Sequence, residues 1–186
     1  MPSRRRGCLL AAIPLILLGA CASPSGVSSD PASEATSSPA DDVSTTRHSL
    51  LPDPAAEHTI GDTIRLSGGE FVGDQAELVV EEAVLLEPSG AGSAPQYAFL
   101  VEVTGLDPET FPYNLRDFSL FDDEAFEYEP LFDGGEEPRL EFGDLPPGER
   151  VRGWLTFDGP TDPGYVELQY APALALEPAR VRVLLP

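Results

Sequence analysis

From Thr59 onward the chain alternates apolar and polar residues with a period of two, in short runs separated by Gly, Pro and Asp. Tyr97, Phe99, Val101 and Val103 fall on one face of such a run. Val151, Leu155 and Phe157 fall on one face of another, with Gly153 between them. Val166, Leu168 and Tyr170 alternate with Tyr165, Glu167 and Gln169, and Val181, Val183 and Leu185 alternate with Arg180 and Arg182. Successive side chains on a strand point to opposite faces, so each run has one apolar and one polar face, as in an antiparallel sheet packed on one side. The pattern predicts strands over Thr63–Leu66, Ala76–Leu86, Gln96–Val103, Phe118–Phe121, Phe126–Tyr128, Arg150–Phe157, Tyr165–Tyr170 and Ala179–Leu185. Asp133-Gly134, Pro147-Gly148 and Pro163-Gly164 supply residues that accept positive φ or pre-set the first turn angle. No segment repeats an apolar residue at helical spacing for three turns. The class is all-β, an antiparallel two-sheet sandwich, with a small closed barrel as the alternative.

The first part of the chain reads differently. Arg4, Arg5 and Arg6 precede the short apolar run Leu9 to Leu18, and Gly19 and Ala20 are small, which together make a secretory leader over 1–20. The apolar run is too short to span a bilayer, which takes about 20 residues. Leu18-Gly19-Ala20-Cys21 resembles the lipobox of bacterial lipoproteins. The resemblance implies cleavage between Ala20 and Cys21 and a diacylglyceryl group on the Cys21 sulfur, a membrane anchor on the extracytoplasmic face. Two acyl chains hold a protein stably where one does not. Ser3-Arg4-Arg5 also leaves export by the twin-arginine route open beside the general one. The Ser/Thr/Pro/Ala/Asp/Glu tract that follows has almost nothing apolar to bury and reads as a disordered linker, over 21–57 with the lipidated cysteine.

Composition narrows the chemistry. Cys8 leaves with the leader and Cys21 is acylated, so the mature chain keeps no thiol for a disulfide, a zinc site or a nucleophile. Its core alone must hold the domain together. The formal charge is −21, from 32 acids against 11 basic residues, all of them Arg. Such a surface repels phosphate backbones, so nucleic acid is not expected as a partner, and it favours cations and basic surfaces.

An ordered series of runs carries a family resemblance: Tyr97-Ala98-Phe99-Leu100-Val101-Glu102-Val103, Tyr113-Asn114-Leu115-Arg116-Asp117-Phe118-Ser119-Leu120, Leu145-Pro146-Pro147-Gly148-Glu149, Gly153-Trp154-Leu155-Thr156-Phe157 and Leu168-Gln169-Tyr170. Together they resemble a domain of unknown function common in lipoproteins of Gram-positive bacteria, itself similar to the immunoglobulin-like sandwich of a secreted mycobacterial immunoprotective antigen. The match runs from about Ile60 to Leu185 and implies an immunoglobulin-like β-sandwich over 58–186. Gly105-Leu106-Asp107-Pro108 stands where the family usually carries an Asn. No activity comes with the resemblance.

Catalytic signatures are sparse. There is no Gly-x-Ser-x-Gly elbow, phosphate-cradling Gly loop or His-Glu-x-x-His pair, and the histidines, His48 and His58, lie near the linker. Asp122, Asp123 and Glu124 form the densest acidic knot, with Asp133 nearby. Oxygen-rich loops of this kind suit a hard cation such as Ca²⁺, set against a solvated hairpin end. Phe111, Tyr113, Phe118, Phe121, Phe126, Tyr128 and Phe132 are dense and alternate with acids; Phe118 and the aromatics in strand phase read as core, and the rest are open to a recognition surface. Trp154 lies on the face opposite Leu155 and Phe157, either packed under a loop or exposed as a contact. The expected function is a lipid-anchored, non-enzymatic interaction module with a protein partner. The alternatives are a divalent-cation-binding envelope protein and a carboxylate-dependent hydrolase.

Overall fold

The alternating runs pair into two antiparallel sheets whose apolar faces meet. The computed structural model describes residues 46–69, 73–86, 93–106 and 109–186. The expected leader, the expected cleavage site at Ala20 and Cys21, and most of the expected linker lie outside the described residues. In chain order the strands are β1 (Arg47–Ser49), β2 (Leu51–Pro52), β3 (Thr63–Ser67), β4 (Asp74–Leu86), β5 (Gln96–Gly105), β6 (Phe111–Asn114), β7 (Phe118–Asp122), β8 (Glu127–Tyr128), β9 (Phe142–Leu145), β10 (Arg150–Asp158), β11 (Tyr165–Tyr170) and β12 (Ala179–Leu184). The first sheet runs β1-β4-β5-β10, with β3 also on β4; the second runs β2-β12-β11-β7-β8; β6 and β9 form a separate ribbon.

The core lies between the two sheets. Leu66, Leu78, Val80, Phe99, Val101 and Phe157 from the first face Phe118, Leu120, Leu168, Tyr170, Val181 and Val183 from the second, all essentially without solvent contact. Each fully buried side chain of this size contributes about 1.5–3 kcal/mol, the dominant favourable contribution here. Phe118 and Tyr170 are cross-strand partners and stack at 4.0 Å, with ring planes 9° apart. The all-β antiparallel sandwich expected from the alternation is the fold observed.

Two departures have physical causes. The reading of 21–57 as linker is corrected at its C-terminal end, because Arg47–Ser49 pairs with β4 and Leu51–Pro52 with β12. Leu50 between them is buried, and its amide donates to Ala83 O at 2.9 Å. One buried leucine and a change of sheet turn a polar tract into a strap across both layers. The second departure is a bulge in β4 between Val80 and Glu82. An extra residue in one strand flips the phase of all that follow. Ala83 therefore faces the core, while Val84 and Leu86 turn outward to join Ala98, Leu100 and Trp154 in a second apolar cluster. Trp154 is thus packed, at 7 % exposure, with the Arg47 guanidinium 5.0 Å from its ring centroid.

The segment 129–141 crosses from β8 of the second sheet to the edge of the first. Leu131 N donates to Thr156 O at 2.7 Å, Trp154 N to Pro138 O at 2.8 Å and Leu140 N to Trp154 O at 2.8 Å. Gly153 makes this approach possible: a Cβ there would lie 2.5 Å from Leu140 N and 2.7 Å from its Cα. At the other end of β7, Asp122 organises the hairpin. Its Oδ1 accepts from the amides of Glu124 (3.0 Å) and Phe126 (2.9 Å), and its Oδ2 from the Tyr128 hydroxyl (2.9 Å).

Three outcomes are expected. Gly153→Ala forces the crossing segment off β10 and lowers stability by about 2 kcal/mol or more, read as a shift in the denaturant midpoint. Asp122→Ala leaves two amides and a phenol short of an acceptor and costs about 2–3 kcal/mol in the same measurement, with Asp122→Asn costing less because one acceptor oxygen survives. The third concerns tyrosines. Burial pushes the Tyr97 phenol up to about 12 and raises that of Tyr170 further. Unfolded tyrosines lose their protons near about 10. The folded state therefore holds more protons above that pH, and the stability these phenols contribute is lost as pH rises through the folded values. Alkaline denaturation is expected from pH of about 10 upward. The Tyr170 hydroxyl is buried without a partner, so Tyr170→Phe is expected to leave neutral-pH stability within about 0.5 kcal/mol and to blunt the alkaline loss.

Candidate functional site

The sequence-derived cation site does not assemble. Asp122 is 6 % exposed and spends both oxygens on the hairpin. Asp123 Oδ2 accepts from Gly164 N at 2.9 Å across the sheet end, while Glu124 and Asp133 are exposed. Among the described residues, which include these four and both histidines, no group of three or more His, Cys, Asp or Glu side chains is placed to hold a metal ion. The expected ligand set of Asp122, Asp123, Glu124 and Asp133 is corrected accordingly. The aspartate that looked most like a ligand is the loop's own acceptor. Burial, followed by the hydrogen bond to Asp122 and the charges of Asp122 and Glu124, raises the Tyr128 phenol above its ordinary value.

The arginines lead to a different place. Arg47 meets Glu82 at 2.9 Å and Glu136 at 3.0 Å. Arg65 meets Glu77 and Arg150 meets Glu102, each across a strand pair, and Arg152 on β10 reaches over β5 to Glu81 on β4. Arg180 and Arg182 share Glu167. Arg116 and Arg139 have no acid partner among the described residues, and both line one groove of about 490 Å³ together with Leu115, Phe132, Glu141 and Phe142. An adjoining cleft that shares Arg116 and Phe132 with the groove carries Ser119, Glu127 and Glu129.

Local sequence builds both walls. On one side Asn114 ends β6 and its Oδ1 accepts from Arg116 N at 3.0 Å, which starts the single 3₁₀ turn Leu115–Asp117. Leu115 is buried by that turn, and Arg116, next in the chain, is exposed. Burial holds the Asp117 carboxyl above its ordinary range. On the other side the crossing segment 129–141 presents Phe132, 45 % exposed, with the Arg116 guanidinium 4.9 Å from its ring centroid. Arg139 Nη1 donates to the Phe132 carbonyl, and its Nε is buried with no partner. Phe142, 74 % exposed, opens β9 at the rim. Gly143 beside it lets the Tyr113 ring lie close, since a Cβ there would meet the hydroxyl at 2.9 Å.

Of the aromatic series singled out in the sequence, Phe111 and Phe118 are core, Tyr113, Phe121 and Tyr128 are half-buried, and Phe126 and Phe132 are exposed. Sequence reasoning missed Phe142, Arg116 and Arg139 as surface features. One signal was present: the strand arginines alternate with acids at positions that pair across a sheet, whereas Arg116 and Arg139 sit in turn-like segments with no such register.

The family described as "Domain of unknown function (DUF4352)" matches residues 58–179. The search of curated proteins found no match. Among solved structures, the yjhA protein of Bacillus subtilis is 20% identical, with a TM-score of 0.52 over 67% of this chain and 98% of that one. A candidate lipoprotein of the same species, ycdA, is 13% identical, with a TM-score of 0.53 over 69% of this chain and 39% of that one. MPT63, a secreted protein from Mycobacterium tuberculosis, aligns at 14% identity and a TM-score of 0.44, over 68% of this chain and 95% of that one, too loosely to bear on the fold. The yjhA and ycdA likenesses are of fold alone, and they agree with the sandwich described above. The extent of the family match decides the membership: this chain belongs to the DUF4352 domain family.

Proposed function

We propose that this chain is a non-enzymatic interaction module, held on the extracytoplasmic face of the cell membrane by a lipid on Cys21, and that it binds a protein partner through the groove between Phe132 and Phe142. One observation carries the binding reading: the two arginines without acid partners among the described residues line the same groove as two exposed phenylalanines. Exposed aromatics and arginine are enriched at protein interfaces, because aromatic rings offer large contact area for few torsions and the guanidinium offers several hydrogen-bond donors. The groove's guanidinium, phenyl, amide and carboxylate groups suit recognition. Its walls are held by backbone bonds to β10 and by the Asn114 cap, so little ordering is left to be done on binding.

The anchor rests on the sequence Leu18-Gly19-Ala20-Cys21. The description of ycdA as a candidate lipoprotein is in keeping with it. A dually acylated cysteine would give stable attachment. Mass spectrometry of the protein purified from membranes is expected to find the chain starting at Cys21 with a diacylglyceryl thioether, and Cys21→Ala is expected to move the chain from the membrane to the soluble fraction. A free sulfhydryl on Cys21, or an intact leader, would overturn the anchor.

A further inference from the structure

We infer that the groove is a receptor for an acidic, aromatic-bearing peptide segment of a partner protein, in which a carboxylate engages Arg116 and Arg139 and the neighbouring aromatic ring packs on Phe132 and Phe142. The inference deepens the binding reading above and rests on it.

Charge decides the ligand's sign. In a chain of net charge −21, cationic groups without a partner are scarce. Six of the eight arginines beyond the leader are occupied by acids of the domain itself, at 2.6 to 3.9 Å. The remaining two converge on one groove. Arg116 already lies against the Phe132 ring, which leaves the guanidinium edge for a ligand. A planar fork of donors matches a carboxylate bidentately, a geometry that a round cation or a neutral amide does not reproduce. Arg139 has one donor on the Phe132 carbonyl and a buried Nε with none.

The surroundings fix the register. Glu141 stands at the groove and Glu127 and Glu129 in the adjoining cleft, so a second carboxylate displaced along the ligand meets repulsion. One acid address with aromatic walls on both sides calls for an acid next to an aromatic residue, not for a polyanion. This distinguishes a peptide from a phosphate-rich polymer, which the overall charge of the chain repels.

The test uses the full chain purified in detergent micelles and blocked fluorescent peptides with Asp-Phe, Asn-Phe, Asp-Ala or Lys-Phe at the centre of a Gly/Ser sequence. Asp-Phe is expected to bind about tenfold or more tightly than the other three, equivalent to one charge-assisted contact. Arg116→Gln and Phe142→Ser, both exposed and outside the core, are expected to weaken Asp-Phe binding about tenfold with the denaturant midpoint unchanged. Equal binding of Asp-Phe and Asn-Phe, or an unaltered affinity in Arg116→Gln, would overturn the proposal. So would self-association of the chain abolished by Phe126→Ser, which would give the groove to the hairpin tip of a second copy. A chain that carries the Cys21 lipid yet ignores Asp-Phe overturns the groove alone; an unlipidated chain that still binds it overturns the anchor alone.

Discussion

The groove depends on how the edge of β10 is closed. An edge strand leaves its outward amides and carbonyls unpaired and invites association with other chains. Here the 129–141 segment covers that edge, with backbone bonds at Leu131, Pro138 and Leu140. It can come so close only because position 153 has no side chain. A loop of this length would ordinarily be mobile. Tied down along its course, it becomes a wall, and Phe132 projects from it against Arg116. Covering an edge and presenting an aromatic are two consequences of one backbone contact.

The electrostatics follow from strand register. Arg65 and Arg150 each sit near an acid on the next strand, and Arg152 near one on the strand beyond, where cross-strand neighbours fall within reach of long side chains. These pairs are exposed, and each contributes only about 0.2–1 kcal/mol. Their main effect is to neutralise cations locally and leave the acidic remainder facing solvent. Arg116 and Arg139 escape because they stand in a 3₁₀ turn and in the crossing segment, where no facing strand delivers a carboxylate. The positive character of the groove is therefore a by-product of topology, set by where the strands stop.

Period-two alternation makes the fold legible in the sequence. Tyr97 to Val103 and Tyr165 to Tyr170 face the core in the phase their apolar residues announce. What the alternation hides are the places where backbone geometry overrides side-chain pattern. The β4 bulge sends Val84 and Leu86 to the outer face, although their spacing from Leu78 and Val80 argues for the core. The strap β1–β2 is disguised by Pro52 and a polar neighbourhood, and of its two leucines only Leu50 is buried. β6 and β9 carry Pro112 and Gly143, residues that usually argue against a strand. The acidic knot misleads for another reason. A carboxylate that accepts backbone amides and one that binds a cation look alike in sequence, and only the positions of the Glu124 and Phe126 amides distinguish them at Asp122. Arg116 and Arg139 were visible as residues, but their lack of partners is a property of three-dimensional neighbours alone.

Arg47 joins these themes. Its guanidinium reaches Glu82 on β4, Glu136 on the crossing segment and the Trp154 ring on β10, so the first described strand is fastened to the wall that carries Phe132. Magnitudes decide how much that fastening matters. Two half-exposed ion pairs and one cation–π contact contribute about 1–2 kcal/mol together. Backbone bonds along β10 and the burial of Leu140 contribute several times that. The strap can therefore loosen at Arg47 without moving the wall, because the wall is positioned by main chain and core. A surface built this way keeps its shape whatever happens to the segment that leads into it.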